Sequence, residues 1–85
     1  MFYTYILRSV KNNQYYVGSC NNLDKRVSLH NKGLVKSTKR YAPWDIMLVE
    51  MHKTLKEARA RETQIKNWKS RKSIESLMKH FKKLK

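Results

Sequence analysis

Residues 3–30 read YTYILRSVKNNQYYVGSCNNLDKRVSLH, and this stretch decides the fold. Two β-prone runs, Phe2–Val10 and Gln14–Cys20, flank Asn12-Asn13. Aromatic and β-branched side chains suit a pleated, half-buried surface, and asparagine tolerates turn backbone, so the stretch reads as a β-hairpin. Side chains alternate along a strand. Tyr3, Tyr5 and Leu7 therefore share one face of the first strand, and Tyr16 and Gly18 share one face of the second. Gly18 has no side chain, which leaves room for a substrate or another backbone to approach. With Tyr5 and Tyr16 turned to the same side, two phenols converge beside that opening. Leu23–Asn31 then reads as a short helix, capped by Asn21-Asn22 and ended by Gly33. Leu23 and Val27 mark its apolar side, and Arg26 and His30 stack on one face at the edge of that stripe.

Beyond the hairpin and its helix, Lys32–Pro43 (KGLVKSTKRYAP) shows no apolar alternation. It reads as a basic loop with one helical turn, where Lys36 and Arg40 are candidates for phosphate contact; an ordinary exposed connection is the alternative. Trp44–Met51 (WDIMLVEM) is a nearly continuous apolar run, expected to be the most buried strand and to lie beside the hairpin. Thr54 and Glu57 match a capping box that opens a helix reaching about Trp68. Its apolar stripe is Leu55, Ala58, Ile65 and Trp68. Glu62 falls inside that stripe, where an unpaired carboxylate is costly; Arg59 and Lys66 are close enough along the helix to pair with it. Ser70 caps a last helix of roughly Arg71–Lys83. Ile74, Leu77, Met78 and Phe81 form its apolar face, and Lys79, His80, Lys82, Lys83 and Lys85 a basic tail. The order β-β-α-β-α-α predicts a single α+β domain over residues 1–85, a small three-stranded antiparallel sheet flanked by helices.

Charge is the dominant feature of the composition. Twenty Lys and Arg against six Asp and Glu leave a formal +14 on 85 residues. Self-repulsion on that scale is normally relieved by a polyanion, and nucleic acid is the leading candidate. Lys66, Lys69, Arg71 and Lys72 join Lys36 and Arg40 as candidates for gripping phosphates. The lone Cys20 forms no internal disulfide and suits a reducing compartment. With no membrane-length apolar run and no signal-peptide layout at the start, a cytoplasmic protein with no membrane association is expected. Cys20, His30, His52 and His80 lack zinc-ligand spacing. No phosphate-cradling glycine loop and no Gly-x-Ser-x-Gly elbow is present. Two tyrosines, an arginine, a histidine and one misplaced glutamate remain to carry chemistry.

Their order and spacing resemble the GIY-YIG nuclease family. The first motif stands here as Tyr3-Thr4-Tyr5 and the second as Tyr16-Val17-Gly18. The family's helical arginine and histidine fall on Arg26 and His30, and its later-helix glutamate falls on Glu62. The likeness includes the run Ala58, Glu62, Ile65, Lys66, Trp68, and Tyr3-Thr4 replaces the name-giving Gly-Ile. It is greatest to small solitary members, which are similar to the nuclease domain of the bacterial excision-repair incision subunit. The resemblance implies a metal-dependent endonuclease acting on DNA, structure-specific or repair-related. Glu62 would hold a single Mg²⁺ or Mn²⁺, and Arg26 would grip the scissile phosphate. Tyr5 or Tyr16 would take a proton from the attacking water, with Tyr5 favoured as base, Tyr16 as positioner, and His30 orienting a tyrosine hydroxyl. A non-catalytic basic nucleic-acid-binding module that keeps the fold is the alternative reading.

Overall fold

The computed structural model describes residues 1–83, with side chains as far as Lys79. The expected contributions of the His80, Phe81, Lys82 and Lys83 side chains, and of Lys85, lie outside the described residues. Element order is β1 (Phe2–Ser9), β2 (Tyr15–Cys20), α1 (Leu23–Asn31), a single 3₁₀ turn (Lys39–Tyr41), β3 (Trp44–His52), α2 (Leu55–Asn67) and α3 (Arg71–Lys83). The three strands form one antiparallel sheet in the order β2-β1-β3. The α+β architecture expected from the sequence is the one found.

Local chemistry explains most boundaries. Asn13 takes the hairpin turn with φ 63°, a region asparagine enters at little cost. The Ser9 hydroxyl accepts from the backbone N–H groups of Lys11 and Asn12 and donates to the Tyr41 carbonyl at 2.7 Å, which ties the hairpin to the basic loop. Asn22 caps α1 by accepting from the Lys25 N–H at 3.1 Å, and Thr54 caps α2 by accepting from the Glu57 N–H at 3.1 Å. Ser70 accepts from the Ser73 N–H at the start of α3. Gly33, at φ +74°, follows the C-cap of α1 and lets the chain turn away.

The sheet separates two apolar clusters. Ile6, Val17 and Leu48 meet Ile65 of α2 and Met78 of α3 on one face. Tyr5, Leu7, Cys20 and Trp44 pack on the other, with Leu23 and Val27 of α1 against them. One expectation is corrected here. The apolar run of β3 is not the most buried strand; β1 is, because it lies between the other two. On β3 only Trp44 and Leu48 are buried, while Ile46 and Met51 stay 45% and 65% exposed. A continuous apolar run does not report whether a strand is central or at an edge.

The loop between α1 and β3 is held by Asn31 and Trp44. The Asn31 amide accepts from the Trp44 N–H at 2.6 Å and donates to the Trp44 carbonyl at 3.3 Å. The indole N–H of Trp44 donates to the Thr38 carbonyl at 3.0 Å. This clasp brings Thr38, only 1% exposed, behind the end of α1 and next to His30.

Candidate active site

Strand register builds the phenol cluster. Tyr5 pairs with Gly18 across the sheet and Leu7 pairs with Tyr16, so both phenols rise from the α1 face. Their ring centroids are 6.3 Å apart, and the His30 ring lies 5.9 Å from Tyr5 and 5.0 Å from Tyr16. The convergence expected from alternation is present. What approaches Gly18 is the Tyr5 phenol itself: a Cβ at position 18 would stand 2.5 Å from the Tyr5 hydroxyl oxygen and 2.6 Å from Cζ. The open patch expected for nucleic acid at Gly18 is therefore filled from within the chain. Glycine is needed there so that a buried ring can cross β2.

Tyr5 and His30 form a closed polar chain. The Tyr5 hydroxyl and His30 Nε2 are 3.1 Å apart, and His30 Nδ1 lies 2.7 Å from the Thr38 hydroxyl. Both ring nitrogens of His30 are thereby satisfied within the chain, and the Thr38 hydroxyl also lies 3.4 Å from the Val35 carbonyl. Tyr5, His30 and Thr38 are at most 1% exposed. Burial, reinforced by Tyr16 and Cys20 and partly offset by Arg26, pushes the Tyr5 phenol above its ordinary value. Burial, with Arg26 adding to it, pulls the His30 imidazole down. Both groups are held neutral. Thr38 went unread in the sequence because nothing local distinguishes it from Ser37.

Glu62 approaches from the other layer. Helix α2 covers the face opposite α1, and the Glu62 carboxylate reaches the edge strand β2. There the Ser19 hydroxyl donates to Oε1 at 2.6 Å, and the Lys66 ammonium donates to Oε2 at 2.6 Å. Of the two partners the helix offered, Lys66 is the one taken. The same Nζ lies 5.9 Å from the Tyr16 ring centroid, which links the carboxylate to the phenol cluster around the β2 edge. Arg26, Arg59 and Glu62 line one cleft of about 440 Å³ with Ser19 and Cys20. Arg26 favours the ionised Tyr5 phenol and Glu62 opposes it, both more weakly than burial does. Tyr5, Tyr16 and His30 meet directly, while Arg26 and Glu62 line the neighbouring cleft.

The other basic candidates divide. Lys66 and Lys69 line a second cleft, of about 510 Å³, that shares Tyr16 with the site. Lys36, Arg40 and Lys72 are exposed. Arg71 also borders the second cleft, but its guanidinium is engaged within the chain. It donates to the Asn13 carbonyl at 2.7 Å, pairs with Glu75 at 3.3 Å and stacks 4.4 Å from the Tyr15 ring centroid. It clamps the hairpin tip to α3. A phosphate would have to compete with three partners for it.

Among the described residues no group of three or more His, Cys, Asp and Glu is placed to hold a metal ion, and the carboxylate the resemblance implies for one is Glu62 alone. One carboxylate suits Mg²⁺, which keeps several waters and is usually held by one or two carboxylates together with substrate phosphates. Oε2 already binds a cation, the Lys66 ammonium. The donor set fits.

A three-stranded antiparallel sheet between helices, with paired tyrosines and a helix-borne glutamate at its edge, defines the GIY-YIG class of nuclease domain. The GIY-YIG catalytic domain matches residues 1–75, and the chain belongs to that family. It is 39% identical over 67 residues to the UPF0213 protein CPE1444 of Clostridium perfringens (strain 13 / Type A), covering 78% of this chain and 71% of that protein. The solution NMR structure of the UPF0213 protein BH0048 from Bacillus halodurans matches with a TM-score of 0.58 and 28% identity, over 93% of this chain and 84% of that chain. Nucleases of this family generally use divalent metal ions and act on nucleic acid. Among the described residues no helix is long and apolar enough to cross a membrane.

Proposed function

We propose that this protein is a metal-dependent endonuclease that hydrolyses phosphodiester bonds in DNA, structure-specific or repair-related, and that it works in the cytoplasm. One observation carries the reading: Lys66 bridges the Glu62 carboxylate and the Tyr16 ring at the β2 edge, beside the cleft that Glu62 shares with Arg26. In-line cleavage needs a positioned water, a gripped phosphate and relief of the charge that builds on phosphate and leaving oxygen. Arg26 grips the scissile phosphate with its forked donors, and Arg59 extends that grip along the cleft. Glu62 would hold the divalent ion, which would supply charge stabilisation at the leaving oxygen.

In this reading Tyr16 takes the proton from the attacking water, and Tyr5, the residue favoured for that role from the sequence, stands behind it. Tyr5 is 1% exposed and spends its hydroxyl on His30, whereas Tyr16 is half-buried and borders a cleft. The difference in exposure supports this reading, because a base must reach the water whose proton it takes. Tyr5 and His30 act behind Tyr16, holding the wall of the site in one arrangement. Lys69, Lys72, Lys36 and Arg40 supply salt-sensitive contacts to flanking phosphates.

The test is cleavage of labelled duplex, single-stranded, flap and branched DNA with Mg²⁺ or Mn²⁺. Glu62→Gln should lower the rate about 10²–10³-fold, and Tyr16→Phe by a similar factor, while DNA affinity changes by less than about threefold. Equal cutting by wild type and Glu62→Gln would overturn the proposal. Salt-sensitive binding with no cleavage of any substrate would favour a non-catalytic binding module.

A further inference from the structure

The Glu62–Lys66 pair does more than neutralise a carboxylate on an apolar stripe. Lys66 pairs with the Glu62 carboxylate, Arg26 and Arg59 line the same cleft, and in the proposed function that carboxylate is the metal donor. The ammonium stands 2.6 Å from Oε2, the separation of a strong charge-assisted hydrogen bond, so a metal ion must compete with the lysine's positive charge for that oxygen. Ser19 fixes the other oxygen at 2.6 Å, which holds the carboxylate still while its second oxygen changes partner. The lysine side chain is 50% exposed and the glutamate 21%, so the longer, wetter side chain is the one free to leave. Its Nζ already lies 5.9 Å from the Tyr16 ring centroid, on the side to which it would move.

We infer that Lys66 is a built-in surrogate for the divalent ion. It occupies Glu62 Oε2 in the metal-free protein, competes with the ion for that oxygen, and on release moves to the Tyr16 side of the site. This rests on Glu62 being the metal donor. It adds that loading has a threshold: a phosphate entering the cleft offers the ammonium a second anion, and the carboxylate oxygen is freed where the substrate already lies. The free protein binds the divalent ion weakly, and nucleic acid strengthens that binding.

The experiment titrates Mn²⁺ into DNA-free protein and reads free Mn²⁺ by electron paramagnetic resonance, which requires no turnover. Lys66→Met keeps a stem of similar length without the charge, at a half-exposed position where the fold tolerates it. Mn²⁺ should bind about tenfold more tightly to Lys66→Met than to wild type, and Lys66→Arg should stay within about twofold of wild type. Glu62→Gln should lose the site in both the wild-type and Lys66→Met backgrounds. Unchanged, weakened or undetectable Mn²⁺ binding by Lys66→Met overturns the surrogate role on its own. Mn²⁺ binding by Glu62→Gln equal to wild type overturns the metal assignment beneath it, and with it this inference.

Discussion

Gly18→Ala is the substitution that the packing singles out. The added methyl would stand 2.5 Å from the Tyr5 hydroxyl oxygen, 2.6 Å from Cζ and 3.0 Å from Tyr16 Cε2. Ordinary carbon contacts begin near 3.5 Å, so the Tyr5 ring must retreat by about 1 Å. It is 1% exposed and packed among Leu7, Cys20 and Trp44, so it cannot move outward without opening that cluster. Overpacking of a core costs about 1–3 kcal/mol. Loss of the bond to His30 adds about 1 kcal/mol, for a total near 2–4 kcal/mol. A chain of this size has roughly 5–10 kcal/mol of stability in all. The melting temperature should fall by roughly 10–25 °C, measured by far-UV circular dichroism with urea titration as a second probe. Tyr5→Phe removes the nearest atom but leaves Cζ, so the double variant should recover about 1 kcal/mol of the loss in a mutant cycle. A melting temperature for Gly18→Ala within about 2 °C of wild type would show that the phenol does not cross β2 at Gly18.

Two further outcomes follow from the buried histidine and the hairpin clamp. His30 has its folded pKa depressed, chiefly by burial and then by Arg26, so below the free value of about 6.5 the unfolded chain binds the extra proton more readily. Stability should be full above that pH and fall as the pH drops through the folded value. His30→Gln should flatten the fall in urea midpoint between about pH 7 and 5, and an unchanged slope would place the acid sensitivity elsewhere. Arg71→Ala removes the bond to Asn13, the Glu75 pair and the Tyr15 stack from a half-exposed side chain, for about 1 kcal/mol and a drop of roughly 4–8 °C. Its DNA affinity should keep the wild-type salt slope; a slope smaller by about one charge would make Arg71 a phosphate contact instead.

The sequence by itself determined the elements and their order. Hairpin alternation, the Asn22, Thr54 and Ser70 caps and the Gly33 stop are local devices: each is satisfied by groups a few residues away, so its signature lies within a short window. The residues that could carry chemistry were legible for the same reason. Tyr5 and Tyr16 alternate onto one face, and Glu62 breaks an apolar stripe. Tertiary structure alone decided who partners whom. It put β1 rather than β3 at the centre, placed the Tyr5 ring over Gly18, and gave His30 to Tyr5 and Thr38 through a loop clasped by Asn31 and Trp44. It gave Glu62 to Ser19 as well as to Lys66, when helical spacing offered Arg59 equally well. Those choices depend on strand register and on which layer meets which edge, and both are set by packing between residues far apart in the chain. Burial then divided two similar tyrosines, sealing Tyr5 in the core and leaving Tyr16 at the surface where water can be met.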